Sequence, residues 1–229
     1  MLEKLKEEVF KANIELVNLG LVSLTWGNVS GISRAEGLIV IKPSGLDYKS
    51  MEISDMVVID LAGKVVEGNS KPSSDSATHI ELYKAFPDIG GVTHTHSTYA
   101  TIFAQACKEI PCLGTTHADH FCGTIPVTRF LSPEEVEYDY EKNTGTVIIE
   151  RFTGLNPASM PGILVAGHAP FCWGRTPFEA VKNSLILEQV ARMALGTFQI
   201  NPAAKELPEH ILKKHYQRKH GPNSYYGQK

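Results

Sequence analysis

Cysteine is scarce in this chain: Cys107, Cys112, Cys122 and Cys172 are the only four in 229 residues, and no two are spaced as C-x-x-C. That excludes a cysteine-built zinc site and a redox dithiol, and fits four reduced thiols in a cytosolic protein. Long apolar runs are missing too; none approaches the roughly 20 residues that a bilayer-spanning helix needs. Charge of one sign is not in excess. Lys and Arg number 22 against 25 Asp and Glu, a net charge of −3, so there is no strong field for nucleic acid or an anionic membrane. The short basic runs Lys213-Lys214 and Arg218-Lys219 read as a solvated helix face. Internal repeats, low-complexity segments and linkers are absent, as are the P-loop and dinucleotide fingerprints. Met1 to Phe10 is charged and amphipathic rather than a signal peptide. A cytoplasmic protein with one domain over residues 1–229 is expected.

Apolar residues make up 42% of the chain, enough for a sizeable core. Leu2, Leu5, Val9, Ala12 and Leu16 recur at helical spacing, and Gly20 is a plausible stop. Strands are predicted at Leu38–Ile41, Met56–Asp60, Lys64–Val66 and Gly91–His96. Further strands are predicted at Thr124–Thr128, Thr146–Glu150, Gly162–Ala166 and near Phe171–Trp173. Helices are predicted over Pro72–Phe86, Tyr99–Ala106, Pro177–Leu195 and Pro208–Lys219. Strand pairs clustered without intervening helices suggest an α/β domain: a mainly antiparallel central sheet with helices on both sides.

His94 and His96 stand two apart on a predicted strand, so both rings point to one face. Two neutral imidazoles so placed can converge on one ion, and three protein ligands with an open position is the catalytic zinc pattern. His168, in the glycine turn after the Gly162–Ala166 strand, is the best third ligand. An H-x-H pair also occurs without metal, and His79, His117, His120, His210, His215 and His220 are rival ligands.

Three stretches suit an anion. Trp26-Gly27-Asn28-Val29-Ser30-Gly31 offers a glycine-rich turn with an amide. Lys42-Pro43-Ser44-Gly45 offers a cation, a hydroxyl and a glycine. Lys71-Pro72-Ser73-Ser74 places hydroxyls at a predicted helix start, where free N–H groups bind phosphate oxygens. Taken singly, each reads first as a turn or a cap rather than a ligand site. Asp75, next in line, is also what a helix's first turn favours by its dipole alone.

Together these stretches, with Thr93-His94-Thr95-His96-Ser97, Gly114-Thr115-Thr116-His117-Ala118-Asp119 and the closing run from His220 to Gln228, resemble the pentulose-phosphate 4-epimerases of the class II aldolase/adducin superfamily, over essentially the whole chain. The resemblance implies the class II aldolase α/β/α sandwich, as a homotetramer with active sites between subunits. It implies one zinc per subunit on Asp75, His94, His96 and His168, with manganese or cobalt as substitutes. A small phosphorylated sugar would be bound by Gly27, Asn28, Lys42, Ser44, Gly45, Ser73 and Ser74, with His215 assisting. Asp119 and Tyr226 would carry protons. Class II sugar-phosphate aldolases usually have glutamate where Asp75 stands, so the aspartate favours an epimerase.

The implied reaction interconverts L-ribulose 5-phosphate and D-xylulose 5-phosphate, a step of L-arabinose or L-ascorbate breakdown. The C4 hydrogen is β to the carbonyl and not acidic, so a retro-aldol route is implied. C3–C4 breaks, glycolaldehyde phosphate turns over, and it re-adds to an enediolate held by the metal. Two proton carriers on opposite faces are then needed. The rivals are an aldolase that releases its fragments and a non-catalytic adducin-like module.

Overall fold

The structure is a computed structural model that describes residues 2–225. It is an α/β sandwich around one seven-stranded sheet. The strands are β1 (Gly27–Ser33), β2 (Leu38–Ile41), β3 (Val57–Asp60), β4 (Val65–Glu67), β5 (Gly91–Thr95), β6 (Gly162–Leu164) and β7 (Pro170–Gly174). Their order is β4-β3-β2-β1-β5-β7-β6, and every neighbouring pair is antiparallel.

Side chains alternate across the sheet as strand geometry requires. Ile39, Ile41, Val57 and Ile59 share one face with Ile80, Leu82 and Tyr83 of α2 (Ser76–Ala85) and with Phe86, which follows it. Val40 and Val58 pack on the other face against Val9 of α1 (Glu3–Asn18), and Val29 packs there with Ala12 and Leu16. The long α7 (Pro177–Ile200) lies against β1, β5 and β7 and supports α3 (Thr98–Gln105). Four shorter helices follow: α4 (Thr115–Ala118), α5 (Pro133–Glu137), α6 (Tyr140–Arg151) and α8 (Glu209–His220).

Two expected strands are not strands. Thr146–Glu150 lies inside α6. Its β-branched run suggested a strand, yet Thr144, Val147 and Ile148 are buried at helical spacing as α6 packs on α2, so tertiary packing outweighs local propensity. Thr124–Thr128 makes only isolated bridges, Ile110 with Ile125 and Val127 with Leu164; Pro126 within it has no N–H to offer a ladder. Conversely β1, expected as a turn, is a central strand between β2 and β5.

Candidate active site

The β1–β5 register opposes Asn28 to His94, and the β5–β7 register opposes His94 to Phe171. His94 is therefore buried on the α2 side of the sheet, its ring stacked on Phe171 at 4.2 Å and 19°. His96, just beyond β5, points the same way. Its Nε2 is 3.1 Å from His94 Nε2. His168 sits in the tight turn between β6 and β7, closed by its N–H donating to Val165 O. Gly167 makes that turn with φ +70°, and a Cβ there would stand 2.7 Å from Phe130 Cε1. Ligand atoms of His94, His96 and His168 all lie within 4.8 Å of one another.

The residues present fit a metal ion. Two ligands at about 2.0–2.1 Å from a tetrahedral ion stand roughly 3.3 Å apart, close to the 3.1 Å between the Nε2 atoms of His94 and His96. His94 Nδ1 lies 3.0 Å from the Pro170 carbonyl. Its proton is thereby assigned to Nδ1 and the lone pair to Nε2, the usual outer-shell arrangement. His168 Nδ1 is buried without a hydrogen-bond partner among the described residues. Burial, reinforced by His94 and His96, pushes His168 down to about 4. Burial and His94 likewise lower His96. At neutral pH both rings are unprotonated donors. Asp75 lies half-buried in the same cavity. Burial raises its pKa, but His94, His79, the Asn28 bond and His168 outweigh that and hold it below the usual carboxylate range. Asn28 Nδ2 donates to Asp75 Oδ2 at 2.6 Å and to Ser73 Oγ at 3.1 Å.

The cavity has a volume of about 620 Å³. Gly27, Asn28, Lys42, Ser44, Gly45, Ser73, Ser74, Asp75 and the three histidines all line it. Two anion-suited loops are stitched together: Ser44 N–H donates to Lys71 O at 2.9 Å and Ser73 N–H to Lys42 O at 3.0 Å. They meet at the N-terminal end of α2, where the helix dipole is positive. Lys42 is buried, its Nζ 4.7 Å from the Tyr48 ring centre, and burial lowers its pKa against the pull of Asp47. Tyr48 in turn donates to Gly27 O at 2.7 Å.

Asp119 and His215 are not brought to this cavity within one chain. Asp119 ends α4, buried beneath α8. Arg218 grips it twice, Nε to Oδ1 at 3.0 Å and Nη2 to Oδ2 at 2.8 Å, and His215 Nδ1 lies 3.1 Å from Oδ1. Burial works to raise Asp119, but the Arg218 and His215 bonds with Lys219 beside them leave it lowered. Tyr226 lies outside the described residues. Sequence reasoning missed Tyr140 and Glu141, which line the cavity from the start of α6. Their only signal was Asp139 ahead of the helical spacing of Thr144, Val147 and Ile148.

Residues 7–195 match the family described as Class II Aldolase and Adducin N-terminal domain. Over 228 residues, covering 100% of both chains, the sequence is 56% identical to the L-ribulose-5-phosphate 4-epimerase UlaF of Salmonella paratyphi B. The namesake from Salmonella choleraesuis matches to the same extent. Among solved structures, an L-fuculose 1-phosphate aldolase superposes with a TM-score of 0.80 at 25% identity, covering 94% of this chain and 95% of that one.

Proposed function

The chain belongs to the class II aldolase and adducin family, and from that premise we propose that it is a metal-dependent epimerase interconverting L-ribulose 5-phosphate and D-xylulose 5-phosphate. One observation carries the reading: three histidines and two serine-bearing loops converge on a single cavity. The full-length likeness to curated 4-epimerases supports the choice of substrate.

His94, His96 and His168 would hold the ion, with Asp75 supplying the negative charge that completes the donor set. Zinc is the proposed ion, one per subunit; nitrogen and carboxylate donors also accept manganese or cobalt. When bound, it supplies Lewis acidity toward the C2 and C3 oxygens of the sugar. The chain's own groups do the rest. Ser44, Ser73 and Ser74, with Gly27, Asn28, Gly45 and the N–H groups ahead of α2, retain the phosphate. Lys42 adds a cation behind them. The C4 hydroxyl gives its proton to a base as C3–C4 breaks, leaving glycolaldehyde phosphate and the enediolate of dihydroxyacetone. The tethered aldehyde turns about its phosphate, and re-addition to the other face returns a proton to the C4 oxygen. Asp119 and Tyr226 serve the two faces.

Because Asp119 and His215 stand apart from the cavity in one chain, a neighbouring subunit of a homotetramer would bring them to it. Arg218 and His215 keep Asp119 ionised and fix its orientation.

The test is the configuration at C4 after the zinc-loaded protein is incubated with L-ribulose 5-phosphate. D-xylulose 5-phosphate without free aldehyde is expected. Release of glycolaldehyde phosphate as fast as the epimer forms would make the protein an aldolase instead.

A further inference from the structure

We infer that Glu188 is a positioning residue of the histidine cluster, acting through α3, which it clamps at the first turn. The inference rests on the metal-site reading above. The His96 side chain is exposed and lies among the rings of His94, His168 and Trp26, with centroids at 4.8, 5.0 and 6.4 Å, so it draws little anchorage from the core. Its place is set by the backbone that joins β5 to α3.

That junction lacks an ordinary cap. Ser97 is the N-cap residue of α3 and its side chain makes no capping bond, so the first-turn N–H groups need another acceptor. Glu188 of α7 provides it. Its Oε1 accepts from Tyr99 N–H and its Oε2 from Ala100 N–H, both at 2.9 Å. One turn further along α7, the Arg192 guanidinium lies 5.4 Å from the Tyr99 ring centre. Thus α7 grips the same turn through backbone and ring.

The far end of α3 reaches the other histidine segment. Ala104 O accepts from Gly167 N–H at 2.9 Å, and Gly167 immediately precedes His168. A short, stiff helix therefore spans the segments carrying His96 and His168, and Glu188 holds it from below. Glu188 is only 8% exposed. Burying a carboxylate is costly unless it is well bonded, whereas a serine or threonine caps a helix cheaply. The bidentate grip makes sense where the position of the helix matters, as it does when it sets a ligand spacing.

The experiment titrates zinc alone into the full metal-free chain against a competing chelator, alongside the thermal midpoint of the metal-free form. Glu188→Ala is expected to weaken zinc binding by about 10–100-fold, the usual effect of losing an outer-shell support. Glu188→Gln keeps the shape but turns an amide donor toward one N–H. It should weaken binding roughly fivefold, about one hydrogen bond's worth, and it carries the test should the alanine variant not fold. Thr176→Ala removes the cap of α7 itself, where Thr176 Oγ1 accepts from Glu179 N–H at 3.1 Å. It should lower the midpoint and leave zinc affinity alone. Wild-type affinity in either Glu188 variant overturns the inference. So does an equal affinity loss in Thr176→Ala at a matched midpoint. A wild-type chain that binds no zinc overturns the metal-site reading instead.

Discussion

Gly27→Ala tests whether the first residue of β1 holds the site together. Gly27 has φ +120°, a region open essentially to glycine alone, and an alanine there costs about 1–3 kcal/mol in backbone strain. The added Cβ would also stand 2.7 Å from Val22 Cγ1 and 2.9 Å from His94 O. Val22 can shift, but the His94 carbonyl belongs to a strand locked between β1 and β7. Overpacking of this kind costs about 1–3 kcal/mol more. The total, about 2–6 kcal/mol, is a large part of the 5–15 kcal/mol that holds a typical domain together. The available relaxation moves the start of β1 away from β5, and it carries Asn28 off Asp75 and Ser73. Urea unfolding of the metal-free protein at fixed protein concentration measures the first effect, and zinc titration the second. A loss below about 1 kcal/mol, an ordinary substitution's worth, with zinc affinity unchanged would refute the reasoning.

Asp119→Asn should cut turnover by about 10²–10⁴, the usual worth of a general base, while zinc content and KM stay within a few-fold; unimpaired steady-state turnover would remove Asp119 from the chemistry. Ser74→Ala should raise KM for the phosphorylated sugar about 10–100-fold, as expected for a lost charge-assisted bond, with zinc content measured by metal analysis unchanged. Acid should destabilise the metal-free fold through two further buried histidines. Burial pushes His79 to about 3, against Asp75, and His117 to about 4, against its bond to the Gly123 carbonyl. Below the unfolded value near 6.5 the unfolded chain takes up protons that the fold refuses, so stability present above that value is lost as pH falls. At pH 5 the loss is roughly 2 kcal/mol for each, and an unchanged urea midpoint between pH 7 and pH 5 would contradict it.

The parts of the site that a strand's two-residue period can encode were legible. His94-x-His96 at the end of β5 and the loops at Ser44 and Ser73 follow from local rules, and the structure gathers them around one cavity. The opening helix also ends before Gly20 as its periodicity implied. What was not legible depends on distant partners. β1 is built of small residues that a propensity argument assigns to a turn; its strand character comes from β2 and β5 on either side. The α6 segment carries a β-like run of Thr146, Val147, Ile148 and Ile149, and it is helical because α2 receives its Val147–Ile148 face. That error hid Tyr140 and Glu141. Nothing local indicated that Asp119 would be held by Arg218, nearly a hundred positions away, and turned from the histidines of its own chain.

α8 has no buried residue and rests on α4 largely through the charged contacts of His215, Arg218 and Lys219 with Asp119. The family match ends at residue 195, before this helix begins, whereas the likeness to the 4-epimerases runs on through it. A substitution on α8 would therefore change the groups that surround Asp119 without opening a cavity in the folding core.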